Sequence, residues 1–183
     1  MASSVTTVIT PLSAVQNHSE PGPRNAIPLV LMNVTVTLLP KRHSGPLCVT
    51  LGNNTASGCI AGFDLSEGAN HNTLRGNTAN NNNHDGVGGN GFSLEIASDN
   101  VLSHNTANGN SFGFNLGGAN ANELTGNTAN HNSRFGFAAW GGANHNTFSY
   151  NKAHGNATFD AWEAWRKSGD TWVHNTFGTT SGI

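Results

Sequence analysis

The stretch Asn72-Thr-Leu-Arg-Gly-Asn-Thr-Ala-Asn-Asn-Asn82 returns three times along the chain, as 100–110, 122–132 and 146–156. Its apolar anchor falls at Leu74, Leu102, Leu124 and Phe148, with a degraded copy at Leu51 and a last one at Trp172. The intervals are 23, 28, 22, 24 and 24 residues. A period of this length is the signature of a solenoid, in which each repeat is one coil stacked on its neighbours.

Set in columns, the repeats place Asn at three fixed offsets from the anchor. Two residues before it stand Val49, Asn72, Asn100, Asn122, Asn146 and Asp170; three after it stand Asn54, Asn77, Asn105, Asn127, Asn151 and Asn175. Five after it come Ala56, Ala79, Ala107, Ala129, Ala153 and Phe177, and eight after it Cys59, Asn82, Asn110, Asn132 and Asn156. An apolar pair closes each rung: Phe63/Leu65, Phe92/Leu94, Phe114/Leu116, Phe137/Ala139 and Phe159/Ala161. Apolar residues two apart share one face of a strand, so each rung offers three short strands. Asn tolerates left-handed backbone and bonds nearby amides, which suits the corners between strands. Stacked about 4.8 Å apart, Asn side chains also bond one another as ladders. The pattern predicts an all-β parallel β-helix of about six rungs around an Ala/Leu/Phe core.

Composition excludes several functions. The net charge of -2 and sequence pI near 6.5 carry no polyelectrolyte signature, so neither nucleic acid nor an anionic membrane is the expected partner. No stretch reaches the roughly 20 apolar residues of a membrane helix. Residues 1–45 lack the repeat and hold five of the six prolines. They read as a loose segment with a capping strand near 29–39, ahead of a β-helix over 46–183. Solenoids need such a cap because the first rung exposes core and strand edge. The run 26–39 alternates as a strand does, and no convincing secretion signal is read in it. Cys48 and Cys59 form either one bridge across the first rung or two buried thiols.

The pattern Asn-x-Leu-x-x-Asn-x-Ala-x-x-Asn followed by Gly-Phe-x-Leu resembles the right-handed parallel β-helix repeat family, over about residues 49–180. That family includes NosD-like proteins and carbohydrate-binding and sugar-hydrolysing domains. The resemblance implies a right-handed coil, an extracellular or cell-envelope location, and a polysaccharide or glycan partner. No resident cofactor is expected. The repeated residues build core and corners and name no site.

Function must therefore sit on outward positions. One face presents Thr55/Ser57, Thr78/Asn80, Thr106/Asn108, Thr128/Asn130 and Lys152/His154, a grid that matches a sugar polymer or an ice lattice, or simply strand and corner preferences. NosD-like relatives are associated with copper delivery, and nine histidines invite a metal reading. Yet His71 and His145 share a column three rungs apart, as do His104 and His174, about 14 Å by strand spacing, so no shared metal site is expected. His84 and Asp85 lie in the 28-residue rung, with Glu95 and Arg75 nearby in register. An acid, a base and an arginine suit a polysaccharide lyase, hydrolase or epimerase, and His84, Asp85 and Glu95 are the catalytic candidates. Toward the C-terminus, Trp140 and Trp162 are expected in one outward column, with Trp165, Arg134, Asp160, Glu163 and Arg166 around them. Indole faces bordered by donors and acceptors suit sugars. The competing expectation is a cap in which Trp162 and Trp165 cover the open end of the core. A structural or adhesive repeat protein is the third functional class. The expected function is carbohydrate binding on an outward face.

Overall fold

The computed structural model describes residues 36–38, 49–82, 89–165 and 168–183, and of 36–38 the backbone course. Strand β1 (Val36–Leu38) precedes the coil. The first rung is β2 (Thr50–Gly52), β3 (Thr55–Ser57) and β4 (Ala61–Ser66); the second is β5 (Thr73–Arg75), β6 (Thr78–Asn80) and β7 (Asn90–Glu95). The third holds β8 (Val101–Ser103) and β9 (Phe112–Gly117), and the fourth β10 (Glu123–Thr125) and β11 (Phe135–Trp140). In both, one bridging residue, Thr106 or Thr128, paired to the rungs on either side, stands where the middle strand would be. The fifth rung is β12 (Thr147–Ser149), β13 (Lys152–Ala153) and β14 (Phe159–Glu163); the last is β15 (Thr171–Val173), β16 (Thr176–Phe177) and β17 (Thr180–Ser181).

Every pairing between rungs is parallel. The anchor sheet runs β2-β5-β8-β10-β12-β15 and sets Leu51, Leu74, Leu102, Leu124, Phe148 and Trp172 side by side. The long-strand sheet runs β1-β4-β7-β9-β11-β14-β17. Between these two lies the short sheet built on Ala56, Ala79, Ala107, Ala129, Ala153 and Phe177. The fold is a parallel β-solenoid, as the repeat predicts.

The core follows from stacking like on like. Phe63, Phe92, Phe114 and Phe137 form a continuous ring stack with centroids 4.9, 4.8 and 4.8 Å apart. Parallel strands force that spacing, and it lies within the range where offset aromatic rings attract. Beside the stack runs a column of glycines: Gly62, Gly91, Gly113 and Gly136. A Cβ at Gly136 would lie 2.5 Å from the Asp160 carbonyl oxygen and 2.9 Å from the Ala153 Cβ. This column is glycine because the corner Asn, the inner Ala and the next rung's backbone close on it.

Three Asn ladders hold the corners. In each, the backbone N–H of one Asn donates to the side-chain oxygen of the next, as Asn105 does to Asn127 Oδ1 at 2.9 Å. Most side-chain amides do the same, and donate as well to a carbonyl of the preceding rung, as Asn127 Nδ2 does to Leu102 O at 2.9 Å. Every hydrogen-bonding group of the buried amide is thereby used, which is what burial of a polar side chain demands. The outward Asn80, Asn108 and Asn130 make a further chain: their Oδ1 atoms accept from Asn108 N, Asn130 N and His154 N. Half of each amide in the expected outward grid is therefore engaged in binding the coil to itself.

One register differs from expectation. β14 pairs Phe159 with Phe135 and Ala161 with Phe137, two residues away from the alignment of Phe159 with Phe137. The cause is Asp160, which takes the glycine slot at the end of the stack. Its Oδ1 accepts from Asn156 N and Nδ2, at 3.1 and 2.6 Å, so it terminates the third ladder where a further Asn would stand. Cys59 is buried, and Cys48 lies outside the described residues, as does most of the segment 1–45. Among the described residues no helix is long and apolar enough to cross a membrane.

Candidate functional site: the outer face of the long-strand sheet

Side chains alternate from the core Phe onward, and because the glycine before that Phe also faces inward, the residue ahead of the glycine turns outward: three columns face away from the core. The first holds Ala61, Asn90, Phe112, Phe135 and Phe159; the middle one Asp64, Ser93, Asn115, Ala138 and Trp162; the last Ser66, Glu95, Gly117 and Trp140. The C-terminal part of this face is aromatic. The Phe112 and Phe135 rings lie 5.3 Å apart, and Trp162 stacks on Phe135 at 4.9 Å and 18°. The Arg134 guanidinium carbon stands 4.9 Å from the Phe112 centroid and 5.7 Å from that of Phe135, a paired cation–π contact.

Trp140 is the exposed member, at 42%. Gly117 occupies its column on the preceding rung, and the indole lies back over it, with ring atoms 3.6 Å from where a Cβ would be. The Trp140 Nε1–H donates to Asn115 Oδ1 at 2.8 Å, which fixes the ring's orientation. Glu95 borders the other side of Gly117, its Cγ 3.8 Å from the same point. One rung further toward the N-terminus sits Asp64. Burial, and then the charge of Glu95, raise its carboxyl above the ordinary aspartate pKa.

The structure brings together part of the expected set. Trp140, Trp162 and Arg134 share this face, but Trp162 pairs with Ala138 and not with the Trp140 column, because of the register at β14. Trp165 follows β14 and is 62% exposed. Asp160 and Glu163 are turned inward and border nothing. Asp160 Oδ2 accepts from Gly178 N, Thr179 N and Thr179 Oγ1 at 3.0, 2.9 and 3.2 Å. Glu163 accepts from Ser168 Oγ and, at 2.8 Å, from Trp172 Nε1. The expected cap of Trp162 and Trp165 is not what closes the core: Trp162 stacks on the outer Phe135, and the last core layer is Trp172, which stacks on Phe148 at 3.7 Å and 1°. Glu95 stays on this face, while Arg75 lies on the anchor sheet, so the two do not form a pair. His84, Asp85 and Arg166 lie outside the described residues. The residues missed are Phe112, Phe135, Asn115 and Gly117; the signal was a second Phe two places before the core Phe.

The histidines have a backbone explanation. His71, His104, His131, His145 and His174 all take positive φ, between 53 and 59°. His is among the few side chains enriched in left-handed backbone, so these are corner residues. Three of them, His104, His131 and His145, lie over glycines of the following rung: Gly126, Gly155 and Gly169. His131 and His154 stand together, centroids 4.9 Å apart, but edge to face at 78°. No group of three or more His, Cys, Asp or Glu side chains converges among the described residues.

Neither a curated protein nor a solved structure matches this chain. The family described as "Periplasmic copper-binding protein (NosD)" matches over residues 29–180. With most of the sequence inside that match, and a parallel β-solenoid beneath it, the chain belongs to the NosD family.

Proposed function

We propose that this protein binds carbohydrate on the outer face of its long-strand sheet. The supporting observation is Trp140, an exposed indole held in one orientation by Asn115 and given room by Gly117. An aromatic ring fixed before a ligand arrives spends little entropy on binding, and its face suits the C–H surface of a pyranose. Glu95 supplies a hydrogen-bonding group beside it, and Arg134 and the half-buried Asp64 supply others farther along the face. The partner is a glycan polymer lying along the stack of rungs. The family's periplasmic description supports a cell-envelope location. It also names copper; the described residues offer no ready three-donor site, and copper has no part in this reading. A glycan array probed with the full chain tests it: binding that Trp140→Ala weakens about fivefold or more, at a melting temperature within about 2 °C of the parent's, is the expected result. No glycan bound by the parent chain ends it.

A second reading, a polysaccharide-modifying enzyme, has one observation in its favour. Asp64 and Glu95 are diagonal neighbours on this face and interact electrostatically, with Asp64 displaced toward its neutral form. A neutral acid beside a carboxylate is the pairing that glycoside cleavage uses. Under that reading Glu95→Gln abolishes turnover of a bound glycan and leaves its affinity in place.

A further inference from the structure

The first ladder consists of Asn72, Asn100, Asn122, Asn146 and, on the last rung, Asp170. Each interior member plays two parts. Its Oδ1 accepts from the N–H and Nδ2 of the Asn before it. From Asn122 on, its own Nδ2 donates to a carbonyl of the preceding rung: Asn122 to Ala97 O at 2.9 Å and Asn146 to Ala119 O at 2.8 Å. Asp170 performs the first part in full. Its Oδ1 accepts from Asn146 N at 2.7 Å and from Asn146 Nδ2 at 3.1 Å. It stands where Nδ2 should donate with a second oxygen, Oδ2, which is buried and has no hydrogen-bond partner. By the repeat, the carbonyl that belongs to this position is that of Ala143. A carboxylate there sets acceptor against acceptor, whereas a carboxylic acid has the proton to donate.

We infer that Asp170 ends the ladder as a protonated acid in place of asparagine, and that its ionisation loosens the last rung. Among the described residues the charged group facing it is Glu163 on β14, whose negative charge also disfavours ionisation. Burial and that charge together outweigh the bonds from Asn146 and Ser168, and raise the Asp170 pKa. Asp160 is the contrast. It also ends a ladder and is the more buried of the two, but five donors converge on its two oxygens, and those bonds hold its pKa below the ordinary value. Two aspartates close two ladders in opposite protonation states. The rung that Asp170 controls carries Trp172, the lid of the hydrophobic core, so its loosening opens the end of the solenoid.

The sign of the linkage follows from a folded-state pKa above the unfolded one. The stabilisation is complete below the unfolded pKa and is lost as pH rises through the folded value. The experiment compares the full chain with Asp170→Asn, an asparagine needing no proton. At pH 7 the variant should melt about 3 °C higher, and the gap should close toward pH 4. Amide exchange locates the effect. Between pH 4.5 and 7.5, after correction for intrinsic rates, protection of the Thr171 and Thr176 N–H groups in the parent should fall about tenfold for each unit by which the pKa is passed. Both groups donate to the rung below, at 2.8 and 2.9 Å. The Thr128 N–H, in the interior, should not change. A gap independent of pH, a gap that widens in acid, or loss of protection shared equally by Thr128 each overturns the inference.

Discussion

At the scale of single residues, the interior Asn has no substitute of its own shape. Asn127 accepts from Asn105 N and Nδ2, and donates through Nδ2 to Leu102 O and Asn151 Oδ1, all within 2.9 to 3.1 Å. Asn127→Asp keeps the volume and removes both donations, leaving two acceptors facing a buried oxygen. The expected loss is about 2–4 kcal/mol, read from the urea midpoint, and neutral pH should be worse than acid. The glycine column is as strict for a steric reason. At Gly113 an added methyl would lie 2.6 Å from the Gly136 carbonyl oxygen and 2.7 Å from the Ala129 Cβ, neither the end of a flexible side chain. Gly113→Ala should therefore destabilise by about 1–3 kcal/mol in a chemical denaturation curve. The corner histidines obey a third rule. His104 has φ of 55°, so His104→Asn should be nearly neutral, while the β-branched His104→Val should lose on the order of 1–2 kcal/mol.

At the scale of elements, the anchor and short sheets were readable from the chain because each rung repeats Asn-x-Leu and Ala at constant offsets. Those offsets are enforced by ladders that break if the stretch from the first ladder residue to the third gains or loses a residue. The long-strand sheet has no ladder of its own along its length, and its start varies from rung to rung. Arg134-Phe-Gly-Phe137 contains two Phe residues, one outward and one inward, and matching Phe159 to the inward one displaced Trp162 by two places. Counting from the ladder residues Asn132 and Asn156 would have paired Phe135 with Phe159. The outward aromatic face was thus half visible: its tryptophans were named, but the Phe pair beneath Arg134 was assigned to nothing. Trp140, the proposed platform, and Trp172, which closes the core, stand apart, where one cluster was expected to hold either role. Trp172→Ala, which removes a ring stacked 3.7 Å above Phe148, should lower the melting temperature by several degrees. Trp140→Ala should cost much less, within about 2 °C, since the indole is 42% exposed and water can reach Asn115 Oδ1 once the Nε1–H is gone. Equal losses from the two variants in parallel thermal scans would remove the distinction between platform and lid.

At the scale of the whole molecule, stability is a sum of rungs and of the interfaces between them, so position along the stack decides what a substitution does. Leu102 is fully buried and pairs with Leu74 on one side and Leu124 on the other. Leu102→Asp places an unpaired charge between two interfaces at once, and several kcal/mol are lost where a domain of this size has only about 5–15 in total. The coil cannot melt there and survive on either side. The N-terminal part would keep just two rungs, and the C-terminal part would expose the cut ends of the Phe63–Phe137 stack and of all three ladders. Trp172 has one interface, to Phe148, and lies on the final rung. Trp172→Asp should free Thr171–Val173 and Thr176–Phe177 from protection, while Leu124 and the rungs before it remain folded. Hydrogen exchange with mass spectrometry resolves the two outcomes. Leu102→Asp should lose protection throughout in one step, and Trp172→Asp only beyond about residue 168. If Leu102→Asp instead leaves the C-terminal rungs protected, the interfaces are not coupled and the solenoid is a string of independently stable coils.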